Sequence, residues 1–551
     1  MEQARVFIAI ALSFLVFFLW ETFFVDKEVT KPAPQSAATV EEIVKTPSDA
    51  VAENSSYPPT AVTEAAATQE PDTRKIIVKT KYYTAVIDER GAIIRHFELD
   101  NYRETNDKDS PLLDVVKSVS EEGTLSLLFD GSGIDTAALS SAVYRAQTDQ
   151  ENVTISAPTT IAFVWTSPSG VVIEKRFHFD PEKYAFGMDV VVNNRSAGSV
   201  DGRLGIAIET RTSLKQNAYG FQGPCVLVDG NFEQIEVKKI ADKDLYEGNV
   251  GWIAVQNQYF MSALIPESGK DSQMKLSAAE DGLLVSRLIH PRTAIASGQS
   301  ATFKHQAFFG PKSTDILKSV GHEMERAVNF GMFDILAKPC LALMNFFYGI
   351  VPNYGIAIIV MTILIKIVLW PLGNKSYKSM SQMKKMQPLM AEIREKNKND
   401  KKKQNEELMN LYKVYKINPM GGCLPMILQI PVFFALYRML YEAIELRHAP
   451  FFGWITDLSA PDRLFNFGFS IPFMEPPYGI PVLTLVMGAT MFLQQKMSPP
   501  PGDPTQAKMM MFMPIIFTFI FINFSSGLVL YWLVNNVLSI AQQYHVQKKY
   551  A

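Results

Sequence analysis

Cysteine is almost missing from this chain. Cys225, Cys340 and Cys423 are spread over 551 positions, an odd, widely spaced set that offers neither a disulfide framework nor metal-ligand spacing. The seven histidines are scattered, and His322-Glu323 lacks the second histidine of an HExxH motif. No GxSxG elbow, Walker A lysine loop or dinucleotide-type glycine pattern occurs. The residues therefore point to no nucleophile, no metal and no cofactor, and the expectation is a protein that is not an enzyme. Acidic residues are missing too from the depths of the apolar runs beyond residue 352, which removes the carboxylate relay of proton and cation pumps. A formal charge of −3 hides strong local asymmetry, and 551 residues exceed what one core holds.

What the chain has in quantity is apolar run. Residues 6–25 (VFIAIALSFLVFFLWETFFV) are interrupted only by Glu21, and the Thr-Phe-Phe-Val after it is a poor cleavage site. Residues 1–25 thus read as an uncleaved transmembrane anchor. Residues 26–75, rich in Ala, Pro, Thr and Glu, read as a disordered, somewhat acidic tether. From 76 to 312 the pattern becomes period two. IIVKTKYYTAVID, a turn at Glu89-Arg90-Gly91 and AIIRHFEL read as a hairpin, and TLSLLF, TIAFVWTS, GVVIEKRFHF and AFGMDVVVNN continue the alternation. Strands in such number, without helical periodicity, predict a large antiparallel sandwich. A sugar-binding cleft would fit it, but no residues single one out. Residues 313–351 turn helical. Only Pro352-Asn353 separates their apolar half from the next run, a tighter return than paired spans usually manage. This region reads as an amphipathic interfacial helix.

Residues 352–551 hold five apolar runs, at 354–372, 422–441, 480–495, 509–524 and 527–544. The first contains Lys366, with Thr362 four residues earlier on the same helical face. An ammonium inside a bilayer costs on the order of 3 kcal/mol, so Lys366 faces protein or water, or snorkels about 9 Å to the nearer surface. Between the first and second runs lies a basic segment, 374–418, in which twelve lysines and arginines against five carboxylates leave +7. Lys384, Lys385, Lys401, Lys402 and Lys403 belong to it, and the positive-inside rule makes it cytoplasmic. Met380, Met383, Met386 and Met390, then Leu408, Leu411, Tyr412 and Tyr415, stand at helical spacing, as in a two-helix hairpin with a packed seam. Its charge suits anionic phospholipid or ribosomal RNA; nothing points to DNA.

Alternating the sides of successive runs from a cytoplasmic Arg5 agrees with the local charge at every step. It predicts six transmembrane helices, both termini inside, and the β-region and the 443–478 loop outside. Polar residues recur within the runs. Gln429 lies in the second, and Trp532, Asn535, Asn536 and Ser539 follow one face of the last. Singly they are ordinary interhelical glue. With an unpaired lysine they describe a wet, positive cavity suited to polar or acidic polypeptide; a secondary transporter of small anions is the alternative, though no internal repeats appear.

NPMGGCLPMILQIPVFFALY (418–437), LVMGATMFLQQKMSP (485–499), FMPIIFTFIF (512–521) and SSGLVLYWLVNN (525–536), with GWIAVQNQYFMSALIP (251–266) and FFGPK (308–312), closely resemble the YidC-type membrane protein insertases of Gram-negative bacteria. The resemblance covers nearly the whole chain. It implies a polytopic α-helical membrane protein of the inner membrane, five of its six helices forming the insertase core. It also implies a large periplasmic all-β supersandwich domain without catalysis. The groove would be open to cytoplasm and lipid. Lys366 stands where relatives usually carry Arg, and Trp532 where they carry Tyr or Trp facing the client. The implied groove residues are Lys366, Thr362, Gln429, Trp532, Tyr531, Asn535, Asn536, Met509 and Met513. The implied partners are nascent membrane proteins, the Sec translocon with its accessory subunits, the ribosome and the signal recognition particle pathway. The chain ends shortly after Lys548-Lys549, so ribosome docking would rest mainly on the 374–418 hairpin.

Overall fold

The computed structural model describes residues 73–116, 123–211, 220–279, 281–415, 424–498 and 504–550. The expected anchor and nearly all of the tether lie outside them. Strands run from Lys75–Lys79 to Ser300–Pro311, and a helical region follows.

The β-region is built on a nine-stranded antiparallel sheet. Its order is Asn231–Gln234, Gly223–Val228, Val250–Gln256, Phe260–Pro266, Ser300–Pro311, Ala185–Asn194, Val171–Phe179, Thr159–Thr166 and Arg145–Ala146. Residues alternate in burial along Val171–Phe179, the signature of a strand with one face on the core. A six-stranded sheet centred on Val200–Arg211 and Leu283–Ile289 packs on one part of it, and a five-stranded sheet containing Tyr83–Asp88 and Ile93–Arg103 on another. Phe97 and Phe309 meet edge to face at 5.1 Å across the second contact, an orientation that the ring quadrupoles favour. The stretch 76–88, expected as one strand, is two. Thr80 Oγ1 accepts from the amides of Tyr82 and Tyr83 at 3.2 and 3.1 Å, a local turn that competes with the ladder.

Eight helices of the C-terminal region carry the argument. They are α1 (Asp334–Ile350), α2 (Tyr354–Lys385), α3 (Gln387–Lys396), α4 (Lys401–Val414), α5 (Leu424–Glu442), α6 (Val482–Met497), α7 (Pro504–Phe521) and α8 (Ser526–Tyr550). α1 buries Ala337, Leu341 and Met344 against α2 and α5 and leaves Ile335, Phe346 and Ile350 exposed, two apolar faces of which protein covers one. α2 does not stop where the apolar run stops. It continues to Lys385 and breaks at Met386, where Pro388 opens α3. The first arm of the basic hairpin is thus partly the end of the Lys366 helix. Met386, Met390 and Leu408 form a small core with Ile393, Leu411 and Tyr412, while Lys384, Lys385, Lys402 and Lys403 are exposed.

The β-region and the helices are joined by specific bonds. Gln258 Nε2 donates to Tyr441 O at 2.7 Å, Arg447 to Arg103 O at 2.6 Å, and Asn106 Nδ2 to Thr456 O at 2.9 Å. α2 begins tightly: a Cβ on Gly355 would lie 2.0 Å from Phe451 Cδ2, so only glycine lets this helix start against the loop after α5.

Candidate functional site

α8 is the organising helix, packed against α2 on one side and α6 on another. Its polar residues keep the 3.6-residue period that the sequence shows, and that period turns them inward together. Lys366 Nζ donates to Ser539 Oγ at 2.6 Å. Ser539 Oγ donates back to Asn535 O at 2.7 Å, and the Tyr377 side chain hydrogen-bonds the same serine. Among the described residues no carboxylate pairs with Lys366. Its ammonium is half-buried and turned toward α8, held by a neutral hydroxyl.

Around this pair the predicted residues divide. Trp532 is half-buried, 4.7 Å from Phe433 edge to face and 5.2 Å from Phe521, and its Nε1 is buried with no acceptor among the described residues. Asn535 is half-buried, and Asn536 is buried with Nδ2 donating to Thr490 Oγ1 at 3.3 Å. Gln429 is half-buried and hydrogen-bonds Tyr531. Tyr531 itself is 2% exposed, so it lies within the helix packing and presents almost no open surface. Thr362 is likewise buried, its Oγ1 donating back to Ile358 O at 2.6 Å, which leaves it no free donor for a ligand. Met513 is half-buried, and Met509 is exposed on α7.

Two features escaped the sequence reading. The polar stripe on α8 runs on past Ser539. Gln542 Nε2 donates to Trp370 O at 2.9 Å and to Asn374 Oδ1 at 3.0 Å, and Gln547 Nε2 to Met497 O at 2.9 Å. The same period, extended two turns, would have found both glutamines. The other is the closure of the far end. Ser526 Oγ donates to Asp457 O and Ala460 O at 2.7 and 2.8 Å, and Gly527 N to Leu458 O at 2.9 Å. The loop after α5 is thereby stapled over the start of α8. Nothing in the periodicity of residues 457–461 marks them for this task.

The site is a polar, positively charged seam between apolar helices, stapled at one end. Comparison with known proteins gives the family of the chain that carries it. The "60Kd inner membrane protein" family model matches residues 346–551, and the "YidC periplasmic domain" model residues 75–343. "Membrane protein insertase YidC" of Syntrophus aciditrophicus is 40% identical over 99% of both chains, and that of Pelobacter propionicus 38% over the same shares. This chain belongs to the YidC membrane protein insertase family. A solved active YidC insertase aligns at 19% identity and a TM-score of 0.38, covering 86% of this chain and 92% of that one.

Membership makes the chain a bacterial inner-membrane protein with a large periplasmic all-β domain and a helical C-terminal region. The relatives are named insertases rather than enzymes or transporters, which sets the anion-transporter reading aside.

Proposed function

We propose that this insertase receives the polar flank of a nascent inner-membrane protein in the seam between α2, α5 and α8, and passes its apolar segment to lipid. The observation that carries this is the Lys366–Ser539 pair, a cation among apolar helices that meets no carboxylate among the described residues. A charge so placed attracts acidic and polar flanks more strongly than it would in bulk water. It binds them without the bidentate fork that arginine would offer. Asn535 and Gln429, both half-buried, supply neutral partners for a passing backbone. The apolar part of the client then moves along Trp532, Met513 and Met509, whose flexible thioethers adapt to varied sequence. Its transfer to lipid is driven by about 25 cal/mol per Å² of apolar surface.

The chain spans the membrane six times with both termini in the cytoplasm, and it works alone or beside the Sec translocon. The basic hairpin, including Lys384, Lys385 and Lys401–Lys403, meets the ribosome, the signal recognition particle pathway and anionic phospholipid heads. No nucleotide or metal enters this scheme, and its driving force is partitioning.

The test is reconstitution. Liposomes containing only this purified chain are given a small membrane protein with acidic flanks, and protease protection of the client is measured. Protection above that of empty liposomes is expected. Its absence at all protein densities overturns autonomous insertion and leaves a folding assistant to another translocon.

A further inference from the structure

The loop between α5 and α6 carries its apolar side chains on the outside. Phe465, Phe469 and Phe473 are 67%, 64% and 63% exposed, and residues 464–474 (LFNFGFSIPFM) hold no charge. Such a patch is one that water-facing surfaces avoid. The stretch is also firmly built. Leu464–Phe467 pairs with Tyr478–Ile480, and the Phe467 and Phe469 rings stack at 5.4 Å and 6°. Arg463 donates to Pro477 O and Ile522 O, both at 2.8 Å, and Asn523 Nδ2 donates to Phe473 O at 3.1 Å. Phe465 and Phe473 sit at φ 61° and 63°, left-handed backbone that a bulky residue adopts only where its surroundings enforce it. A loop tip free of constraint would carry glycine or asparagine there.

Its place in the chain says what covers it. The loop joins the end of α5 to the start of α6, and Arg463 grips the turn between α7 and α8. On the six-span topology proposed above, on which this inference rests, these are the periplasmic ends of spans. α6 has 16 residues, about 24 Å of helix against a hydrocarbon core of ~30 Å. A span that short leaves a deficit of apolar depth, and the uncharged aromatic stretch just ahead of it is positioned to fill that deficit. We propose that Phe465, Phe469 and Phe473 form a rigid patch inserted into the outer leaflet of the bilayer, with the lipid surface as its partner. The patch extends the apolar belt of α6 outward and fixes the depth of the seam's stapled end.

The experiment places an environment-sensitive fluorophore on Phe469→Cys in the full chain, with Cys225→Ala, Cys340→Ala and Cys423→Ala, reconstituted in phosphatidylcholine–phosphatidylglycerol liposomes. Ile367→Cys on the exposed face of α2 and Lys270→Cys on the β-domain are labelled in parallel. Expected at 469 are blue-shifted emission, quenching by lipids with a nitroxide near the headgroup, and protection from iodide. Emission at 469 as water-like as at 270, with 367 deep in lipid, overturns the patch and leaves the topology standing. Protection at 469 from both quenchers also overturns it, since protein rather than lipid then covers the ring. A label at 367 open to iodide overturns the topology and the patch together.

Discussion

Lys366 and Ser539 lie 173 residues apart in sequence, yet the lysine ammonium donates to the serine hydroxyl at 2.6 Å. The bond ties α2 to α8 without neutralising anything. A carboxylate in place of the serine would hold the lysine equally well but would cancel its field within a few ångströms. A neutral partner fixes the cation in position and leaves its charge available.

That difference can be measured. Lys366→Met should lower insertion of an acidic-flanked client by about tenfold, equivalent to ~1.4 kcal/mol, and should barely alter a client with uncharged flanks. Lys366→Arg should retain most activity, and Ser539→Ala, which keeps the charge, should cost about twofold or less. Reconstituted insertion of the two clients side by side is the assay. Equal losses on both would mean that Lys366 only holds the helices together.

Asp462 makes a second, independent prediction. Its carboxylate is buried, accepting from Trp454 Nε1 and Leu483 N, both at 2.5 Å, and from Thr484 N at 3.4 Å. It caps the start of α6 from a loop twenty residues away, because Pro481 at the N-cap position offers no side-chain acceptor. Asp462→Ala leaves three donors unmet and should destabilise the helical region by about 2 kcal/mol. Asn, which keeps an acceptor, should recover part of this. Unfolding of the detergent-solubilised protein followed by circular dichroism reads the change, and an unchanged midpoint for the alanine form would refute the capping role.

The β-domain should show its own pH response. His290 and His305 are buried and share a bond of 2.7 Å between their Nε2 atoms, and His305 Nδ1 also bonds Met188 O at 3.1 Å. Burial holds His290 down at about 4, and burial with its neighbour holds His305 at about 3. The Phe303 ring packs on His290. Folded values below the ordinary 6.5 mean that the unfolded chain binds protons first. The stability is therefore complete above pH 6.5 and is lost as the pH falls toward 3, by on the order of a few kcal/mol. The full chain's β-domain melting transition should drop across that window and stay level above pH 7. A His305→Gln form should show a flatter profile even if its transition is lower throughout, and an equally steep one would assign the response to other groups.

Composition and periodicity determined much of this protein. Period-two alternation placed an antiparallel sandwich, and long apolar runs with a basic interval described a membrane core. The α8 stripe of Trp532, Asn535, Asn536 and Ser539 was legible because a helix converts spacing directly into a shared face. So was the methionine seam of the hairpin, of which Met386 and Met390 meet Leu408.

Tertiary structure decided which of the predicted groove residues stay available, because availability depends on how each side chain is packed and bonded. Tyr531 and Thr362 carry polar atoms like their neighbours, yet one is sealed against Gln429 and the other bonds its own helix. Lys366 could have snorkelled on any local reading. Only the packing of α8 against α2 sets a hydroxyl 2.6 Å from its ammonium. The closure of the far end by residues 457–461, the cap supplied by Asp462 and the outward phenylalanines arise from a loop with no repeating period. There, backbone hydrogen bonds to distant segments, which no local pattern encodes, fix the conformation.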